Sequence, residues 1–74
     1  MADRNSPFAS KLRGIRAERD MTQEDLAKAI GFSVASVQNW EDGKTMPNLR
    51  TTVAIANLFN VPLDTLTGRD SQAD

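Results

Sequence analysis

Two short helices that meet at a tight corner are predicted between Gln23 and Trp40. Gln23, Ala27, Gly31, Val37 and Trp40 occur with the spacing Q-x3-A-x3-G-x5-V-x2-W. A side chain as small as that of Ala27 lets a second helix cross closely over the first. Glycine adopts the positive φ that a residue just past a helix end often needs, so Gly31 is expected at the corner.

The second of these helices begins after Ser33, whose hydroxyl suits the N-cap position. Val37 and Trp40 follow at a helical spacing and are expected to point inward, with Trp40 filling the core rather than contacting a ligand. Such a helix pair is a helix-turn-helix, whose second helix enters the major groove of DNA.

Composition limits the chemistry available to this chain. Its 74 residues contain neither cysteine nor histidine, so a disulfide framework, a thiolate metal site and the commonest general base are all missing. Asp20, Glu24 and Asp25 are better explained as charges near a helix start than as a catalytic carboxylate pair. We therefore expect one small domain that is not an enzyme and uses no catalytic residue, metal or cofactor.

Charge and hydropathy add two expectations about location and partners. No apolar run approaches the roughly 18 residues of a membrane span, and the start MADRNSPF lacks a signal-peptide pattern. A cytoplasmic protein without a membrane partner or an evident small-molecule ligand is expected.

The net charge is −1, from 9 basic and 10 acidic residues, so any nucleic-acid surface depends on how the charges are distributed. Four basic residues crowd one segment: Lys11, Arg13, Arg16 and Arg19.

The periodicity predicts a compact all-α fold of five helices. The helices are expected at about 7–19, 23–30, 34–41, 49–59 and 62–66, with Ser6, Thr22, Ser33 and Asn48 as N-caps. A domain over 7–67 would lie between flexible tails at 1–6 and 68–74. The fourth helix is apolar nearly all round, and its shared face is expected to comprise Leu49, Thr52, Ile55, Ala56 and Phe59.

Three ordered blocks carry a family resemblance. They are M-T-Q-E-D-L-A-K-A-I-G, then S-V-x-x-W-E-D-G-K-x-x-P, then L-x5-I-A-x-x-F-x-V. With these blocks the chain resembles the lambda-repressor-like family of phage repressors, Cro proteins and related XRE-type regulators, over about 8–66. The resemblance implies a five-helix DNA-binding domain and gives roles to the matching positions.

The implied DNA contacts fall into two groups. The exposed side of the recognition helix would contact bases through Val34, Ala35, Gln38 and Asn39, and the amides of Gln38 and Asn39 match the donor and acceptor pattern of adenine. The implied phosphate contacts are Arg16, Gln23, Ser33, Ser36, Lys44 and Asn48. Arg16 and Glu41 match an arginine and a glutamate that pair in related repressors, and Gln23 matches a glutamine that also supports the recognition helix.

Val34 and Ala35 depart from the family pattern, because many members carry glutamine or another polar base reader there. Apolar side chains can touch a thymine methyl group. They could equally mark a surface that meets another protein.

Two functions follow from these observations. The leading hypothesis is a sequence-specific transcriptional regulator, with repression favoured, that binds double-stranded DNA as a homodimer on a two-fold symmetric operator. Its candidate dimer interface comprises Phe59, Val61, Leu63 and Leu66, although these residues equally suit an intramolecular core. The alternative is a protein-binding module, such as an antitoxin-like partner or a masked regulator, that uses the apolar fourth and fifth helices.

Overall fold

The computed structural model describes residues 6–67. This range contains five α-helices and no strand: α1 (Pro7–Glu18), α2 (Gln23–Ile30), α3 (Val34–Glu41), α4 (Leu49–Phe59) and α5 (Leu63–Thr67). The all-α, five-helix prediction is confirmed. The predicted tails at 1–6 and 68–74 lie outside the described residues, apart from Ser6. None of the helices in the described range is long and apolar enough to cross a membrane.

A capping side chain precedes each of the first four helices, as the sequence predicts. The side-chain oxygen of each cap accepts a hydrogen bond from a backbone N–H in the first turn: Ser6, Thr22, Ser33 and Asn48. At α2 the bond is reciprocal, because the Thr22 N–H donates to Asp25 Oδ2 at 3.0 Å and the Asp25 N–H donates to Thr22 Oγ1 at 3.0 Å. These bonds satisfy donors that the helix itself leaves unpaired.

Two left-handed residues end the second and fourth helices. Gly31 has φ 79° after α2, and Asn60 has φ 57° after α4. Glycine takes this conformation without a steric penalty, and asparagine tolerates it better than most residues. The corner predicted at Gly31 is therefore present, and α4 ends where the sequence places its end.

One hydrophobic core joins the five helices. α1 packs against α3 and α5, α2 packs against α3 and α4, and α4 also packs against α5. Val37 and Trp40 point inward, with 0% and 5% of their surfaces exposed. The remaining core side chains come from the other four helices: Phe8, Leu12, Ile15, Leu26, Ala27, Ile55, Ala56, Phe59 and Leu66.

The predicted inner face of α4 is wrong at its first residue. Leu49 is 70% exposed, whereas Thr51 is buried beside the predicted Thr52 and Ile55. Helical side chains lean toward the helix N-terminus, so a side chain at the first helical position projects past the start of the element. Leu49 therefore extends into solvent instead of covering the core.

Half of the candidate dimer interface is core. Phe59 is 1% exposed and Leu66 is 0% exposed within a single chain. Neither side chain is accessible to a second copy, because both already fill the space among α1, α4 and α5. Val61 and Leu63 are half-buried and pack against the edge of the core. The open alternative of an intramolecular core is thus the correct one for Phe59 and Leu66.

Candidate nucleic-acid interface

The outer face of α3 presents a short polar and small-residue surface. Ala35 and Gln38 are exposed, while Ser36 and Asn39 are half-buried. Val34 is also half-buried and packs against the core. The four predicted base contacts therefore differ in how much of the side chain DNA can reach. Part of the Val34 surface is buried against the core, whereas Ala35 and Gln38 are exposed.

The two serines at the start of α3 are tied to each other. Ser33 Oγ accepts a hydrogen bond from the Ser36 N–H at 3.2 Å, and the two hydroxyl oxygens lie 3.1 Å apart. Ser33 itself is exposed. A hydroxyl retains donor and acceptor capacity beyond one such bond, so the capping role leaves a phosphate contact chemically possible.

Glu41, at the end of α3, holds the best-connected carboxylate in the described range. Its side chain is 2% exposed. Arg16 donates through Nε to Oε2 at 2.6 Å and through Nη2 to Oε1 at 3.0 Å, which is a bidentate pair. The remaining Arg16 nitrogen, Nη1, donates to the Met21 carbonyl at 2.7 Å. The pairing predicted from the resemblance is present in this structure, with Glu41 buried and Arg16 half-buried.

Hydrogen bonding to Glu41 also raises the pKa of Arg16. The bond to the Glu41 carboxylate holds the pKa of Arg16 above its ordinary value, and this effect exceeds the opposing effect of burial. Because the Arg16 side chain is only 19% exposed and all three of its nitrogens donate to protein oxygens, little of it faces a phosphate.

Gln23 links the start of α2 to the same carboxylate. Its Nε2 donates to Glu41 Oε1 at 3.1 Å, and the residue is half-buried. The N-terminal end of α2 and the C-terminal end of α3 are thereby held by one buried group, which fixes the relative orientation of the two helices. This contact matches the supporting role that the resemblance implies for Gln23.

Two arginines that sequence reasoning treated as surface charges also hold helix ends. Arg13 Nη1 donates to the Glu41 carbonyl at 2.7 Å, and Arg19 Nη2 donates to the Phe59 carbonyl at 2.7 Å. The Arg19 guanidinium also lies 5.5 Å from the centre of the Phe59 ring. A cation is stabilising near a helix C-terminus, and neither α3 nor α4 has a basic residue in its own last turn. The missing charge indicates that a basic residue from elsewhere in the chain would stabilise these two ends, but the sequence does not identify which residue does so.

Arg19 and four further cations have exposed side chains in the described range. Lys11, Lys28, Lys44 and Arg50 are exposed, and Lys28 lies 3.7 Å from Glu24 on the surface of α2. Lys44 and Arg50 flank the start of α4. There Asn48 uses its Oδ1 to cap Thr51 at 2.8 Å, so its Nδ2 amide and the unpaired N–H groups of the first turn are available to bind an anion.

Phe32, between Gly31 and the cap of α3, was missed by the sequence reasoning. It is 43% exposed and makes an edge-to-face contact with Trp40, with ring centroids 5.2 Å apart and planes at 63°. Its signal in the sequence was an aromatic residue immediately before an N-cap.

Comparison with known proteins agrees with this geometry. The helix-turn-helix family model matches residues 12–66, which is more than half of the chain and spans all of α2, α3 and α4. The chain belongs to the lambda-repressor-like, XRE-type helix-turn-helix family. Members of this family are transcriptional regulators, so the recognition made from the three sequence blocks is confirmed.

Individual relatives of this helix-turn-helix chain include both repressors and an activator. It is 38% identical over 56 residues to the cryptic phage CTXphi transcriptional repressor RstR of Vibrio cholerae, covering 76% of this chain and 50% of that protein. It is 36% identical over 59 residues to the transcriptional activator BcrR of Enterococcus faecalis, covering 80% of this chain and 29% of the activator. The chain thus spans half or less of these two relatives.

The fold of a solved family member is also similar. The DNA-binding domain of the P22 C2 repressor superposes with a TM-score of 0.76, at 26% identity and with 90% of each chain covered. The family's compact helical domain is therefore the fold of this chain.

Proposed function

We propose that this chain is a sequence-specific DNA-binding regulator that inserts α3 into the major groove of a two-fold symmetric operator. The carrying observation is the buried Glu41, which receives bonds from Arg16 and Gln23 and so holds an exposed helix face at a fixed angle to the domain. A rigid helix with a free outer face is what base readout requires. Membership of a family of transcriptional regulators supports the same conclusion.

Base reading is assigned to the outer face of α3. Gln38 and Asn39 carry amides that pair with the N6 and N7 edge of adenine, while Ala35 and the accessible part of Val34 suit a thymine methyl group. The preferred half-site should therefore be rich in A·T pairs. Gln38 is the strongest candidate of the four, because it is exposed along the middle of the helix.

Phosphate contacts are assigned around the edges of that face. Ser33, Ser36 and Gln23 lie at helix starts, where backbone N–H groups and the helix dipole favour anions. Lys44 and the first turn after Asn48 would hold the backbone on the other side. Arg16 contributes mainly by holding Glu41, and its 19% exposed side chain makes it the weakest of the six phosphate candidates.

A homodimer follows from the size of one domain. A single small module buries only about 600–1,000 Å² on DNA, and half-sites repeat at about 34–36 Å. The domain measures 36 × 29 × 23 Å, so its longest dimension matches this spacing. The accessible apolar residues nearest the end of α4 supply the proposed contact: Leu58, Val61 and Leu63. Leu58, 40% exposed, takes the place of the buried Phe59 and Leu66.

Repression is the simplest outcome for a protein of this design, because an operator that overlaps a promoter excludes the polymerase without further contacts. Of the two relatives compared above, one is named a repressor and one an activator. Mapping the operator relative to the transcription start distinguishes the two outcomes.

The decisive experiment selects bound DNA from a random library and then measures variants on the selected site. Gln38→Ala is expected to lose about 1–3 kcal/mol on that site and much less on random DNA. Lys44→Ala is the matched control and should weaken both DNAs alike, because phosphates carry no base information. Equal losses for Gln38→Ala on both DNAs would remove α3 as the reader.

The alternative function, a protein-binding module, is favoured by one observation: the outer side of α4 exposes Leu49, Val53 and Leu58. Salt separates the two functions. DNA affinity should fall with a log–log slope of about −0.9 per neutralised phosphate. An affinity for DNA that is unchanged between low and moderate salt, together with capture of a defined partner protein by α4, would favour the alternative.

A further inference from the structure

Phe32 is an aromatic side chain that the hydrophobic core does not bury. Phe8, Phe59 and Trp40 are at most 5% exposed, whereas Phe32 is 43% exposed. It is the only aromatic among the exposed large hydrophobic residues of the described range 6–67. A domain this small gains stability from every buried aromatic, so leaving nearly half of one in solvent calls for an explanation.

The position of Phe32 is fixed on two sides. Its backbone N–H donates to the Ala27 carbonyl at 2.9 Å across the left-handed Gly31, which closes the end of α2. Its ring meets the buried Trp40 edge-to-face at 5.2 Å. The ring is therefore held in place before any ligand arrives, and a contact made by a pre-positioned side chain loses little conformational entropy.

Along the chain, Phe32 also lies next to the start of the proposed recognition helix. It immediately precedes Ser33, the N-cap of α3, and the N-terminal residues of a recognition helix are those that approach base edges. Within the major groove, the thymine methyl is the apolar group on a base edge, and phenylalanine is among the side chains that contact it.

From this arrangement we propose that Phe32 is a specificity-determining residue that contacts a thymine methyl group at the edge of the half-site. The proposal rests on the proposed function, since it needs α3 in the major groove. It adds a reader outside the helix, at a base step beyond those reached by Gln38 and Asn39. The contact favours thymine over every base that lacks the methyl.

A purely structural role for Phe32 makes a different prediction. An apolar residue after a left-handed helix end often packs back on that helix, and one before an N-cap often packs on the following helix. In that case its loss would lower stability and would weaken binding to all DNA sequences by one factor. Only a base contact makes the loss depend on a single methyl group.

The test replaces each thymine of the selected site by uracil, one at a time, which removes only the methyl. The wild-type chain should lose about fourfold in affinity at one or more edge positions, the factor for burying one methyl-sized group. Phe32→Ala should bind the thymine and uracil forms of the affected position equally while keeping the wild-type response elsewhere. Val53→Ala is the matched control, because it trims a side chain of similar exposure, 38%, from α4.

Two further variants keep the experiment decisive. If Phe32→Ala does not fold, Phe32→Gln provides a side chain long enough to cover Trp40 but without the apolar end. This variant should lose the same response to the methyl group. Phe32→Leu keeps an apolar end and should retain it. The near-ultraviolet signal of Trp40, the single tryptophan, reports whether each variant is folded.

The outcomes distinguish the role proposed for Phe32 from the proposed DNA-binding function of α3. A wild-type chain that selects a site but shows the same uracil responses as Phe32→Ala overturns the role of Phe32 and leaves base reading by α3 intact. A chain that selects no site at all overturns both. A response that is lost in Phe32→Ala and Phe32→Gln, and kept in Phe32→Leu, Val34→Ser and Val53→Ala, assigns the methyl contact to Phe32.

Discussion

At Glu41, a single carboxylate accepts hydrogen bonds from two other helices. Arg16 of α1 binds both of its oxygens and Gln23 of α2 binds one of them. No buried side-chain nitrogen or oxygen of the described residues is left without a hydrogen-bond partner. A buried charge is tolerable only while its partners are complete, so stability and the orientation of α3 depend on the same group.

Glu41→Ala is expected to destabilise the fold by about 3 kcal/mol, the lower end for a buried pair, because it leaves the half-buried Arg16 charge without its carboxylate partner. Glu24→Ala is the matched control. Glu24 lies on the exposed surface of α2, with 66% of its side chain accessible and 3.7 Å from Lys28, so its loss should cost no more than about 0.5 kcal/mol. Urea denaturation of both variants measures the difference, and equal midpoints would show that Glu41 has no special role.

Residue types were easier to predict than residue partners. The Arg16–Glu41 pair came from a family resemblance, whereas Arg13 and Arg19 looked like ordinary surface charges. Their acceptors are main-chain carbonyls 28 and 40 residues away along the chain, and every residue has such a carbonyl. No pattern of side chains marks which one is used, so these contacts could be recognised only in the folded structure.

At the scale of the helix, α2 is specified at both of its ends by local chemistry. The capping box of Thr22 and Asp25 begins it, and Gly31 at φ 79° ends it. Both signals act over three or four residues. Helix ends were therefore predicted within one or two residues, whereas the exposure of Leu49 depended on what lies beyond the start of α4 and could not be deduced from helical periodicity.

Two glycine substitutions should change stability in opposite directions. Gly31→Ala is expected to destabilise by about 1–2 kcal/mol, because an L residue at positive φ crowds its own backbone. Gly14→Ala is expected to stabilise by about 0.5–1 kcal/mol, because it lies within α1 and alanine costs less backbone entropy. A Cβ at either position meets nothing within 4 Å, so steric contact with neighbours does not complicate the comparison.

Thermal melts of the two variants, compared with the wild-type chain, measure this difference. A stabilised Gly31→Ala chain would contradict the left-handed corner. A destabilised Gly14→Ala chain would instead indicate that the exposed face of α1 at this position has a neighbour.

The capping box also makes the stability of α2 depend on pH. Hydrogen bonds from Thr22, the backbone N–H first, hold the pKa of Asp25 below its ordinary value of 3.8. A lowered pKa in the folded state means that the ionised form stabilises the fold. This contribution is fully present above the unfolded pKa and is lost as the pH falls through the folded one.

Asp25→Asn should therefore reduce stability near neutral pH and have a smaller effect once the wild-type carboxylate is protonated. Denaturation midpoints measured at about pH 7 and at a pH below the folded pKa test this expectation. Glu24→Gln, which alters the neighbouring first-turn charge, is the control and should not reproduce the pH-dependent difference. A gap between wild type and Asp25→Asn that widens in acid would contradict the capping role.

For the whole molecule, α1 organises the other helices. Arg13 holds the end of α3 and Arg19 holds the end of α4, and both donors lie on one helix. The exposed face of α3 and the apolar residues after α4 are therefore both held in position by contacts with α1. If two copies meet through the region following α4, the distance between their recognition helices is set by a rigid path through each domain.

The dimer prediction concerns Leu58, which is exposed, and the half-buried Val61 and Leu63. Leu58→Lys places a charge on the proposed contact and should weaken self-association and operator binding together, because each half-site then binds one small module without its neighbour. Val53→Lys is the matched control, since Val53 is 38% exposed on the same helix while Leu58 is 40% exposed. Sedimentation equilibrium and operator titrations measure both effects. Equal behaviour of the two variants would show that the dimer contact lies elsewhere. If Leu58→Lys alone loses cooperative operator binding while its melting temperature is unchanged, the dimer contact lies among the residues around the end of α4.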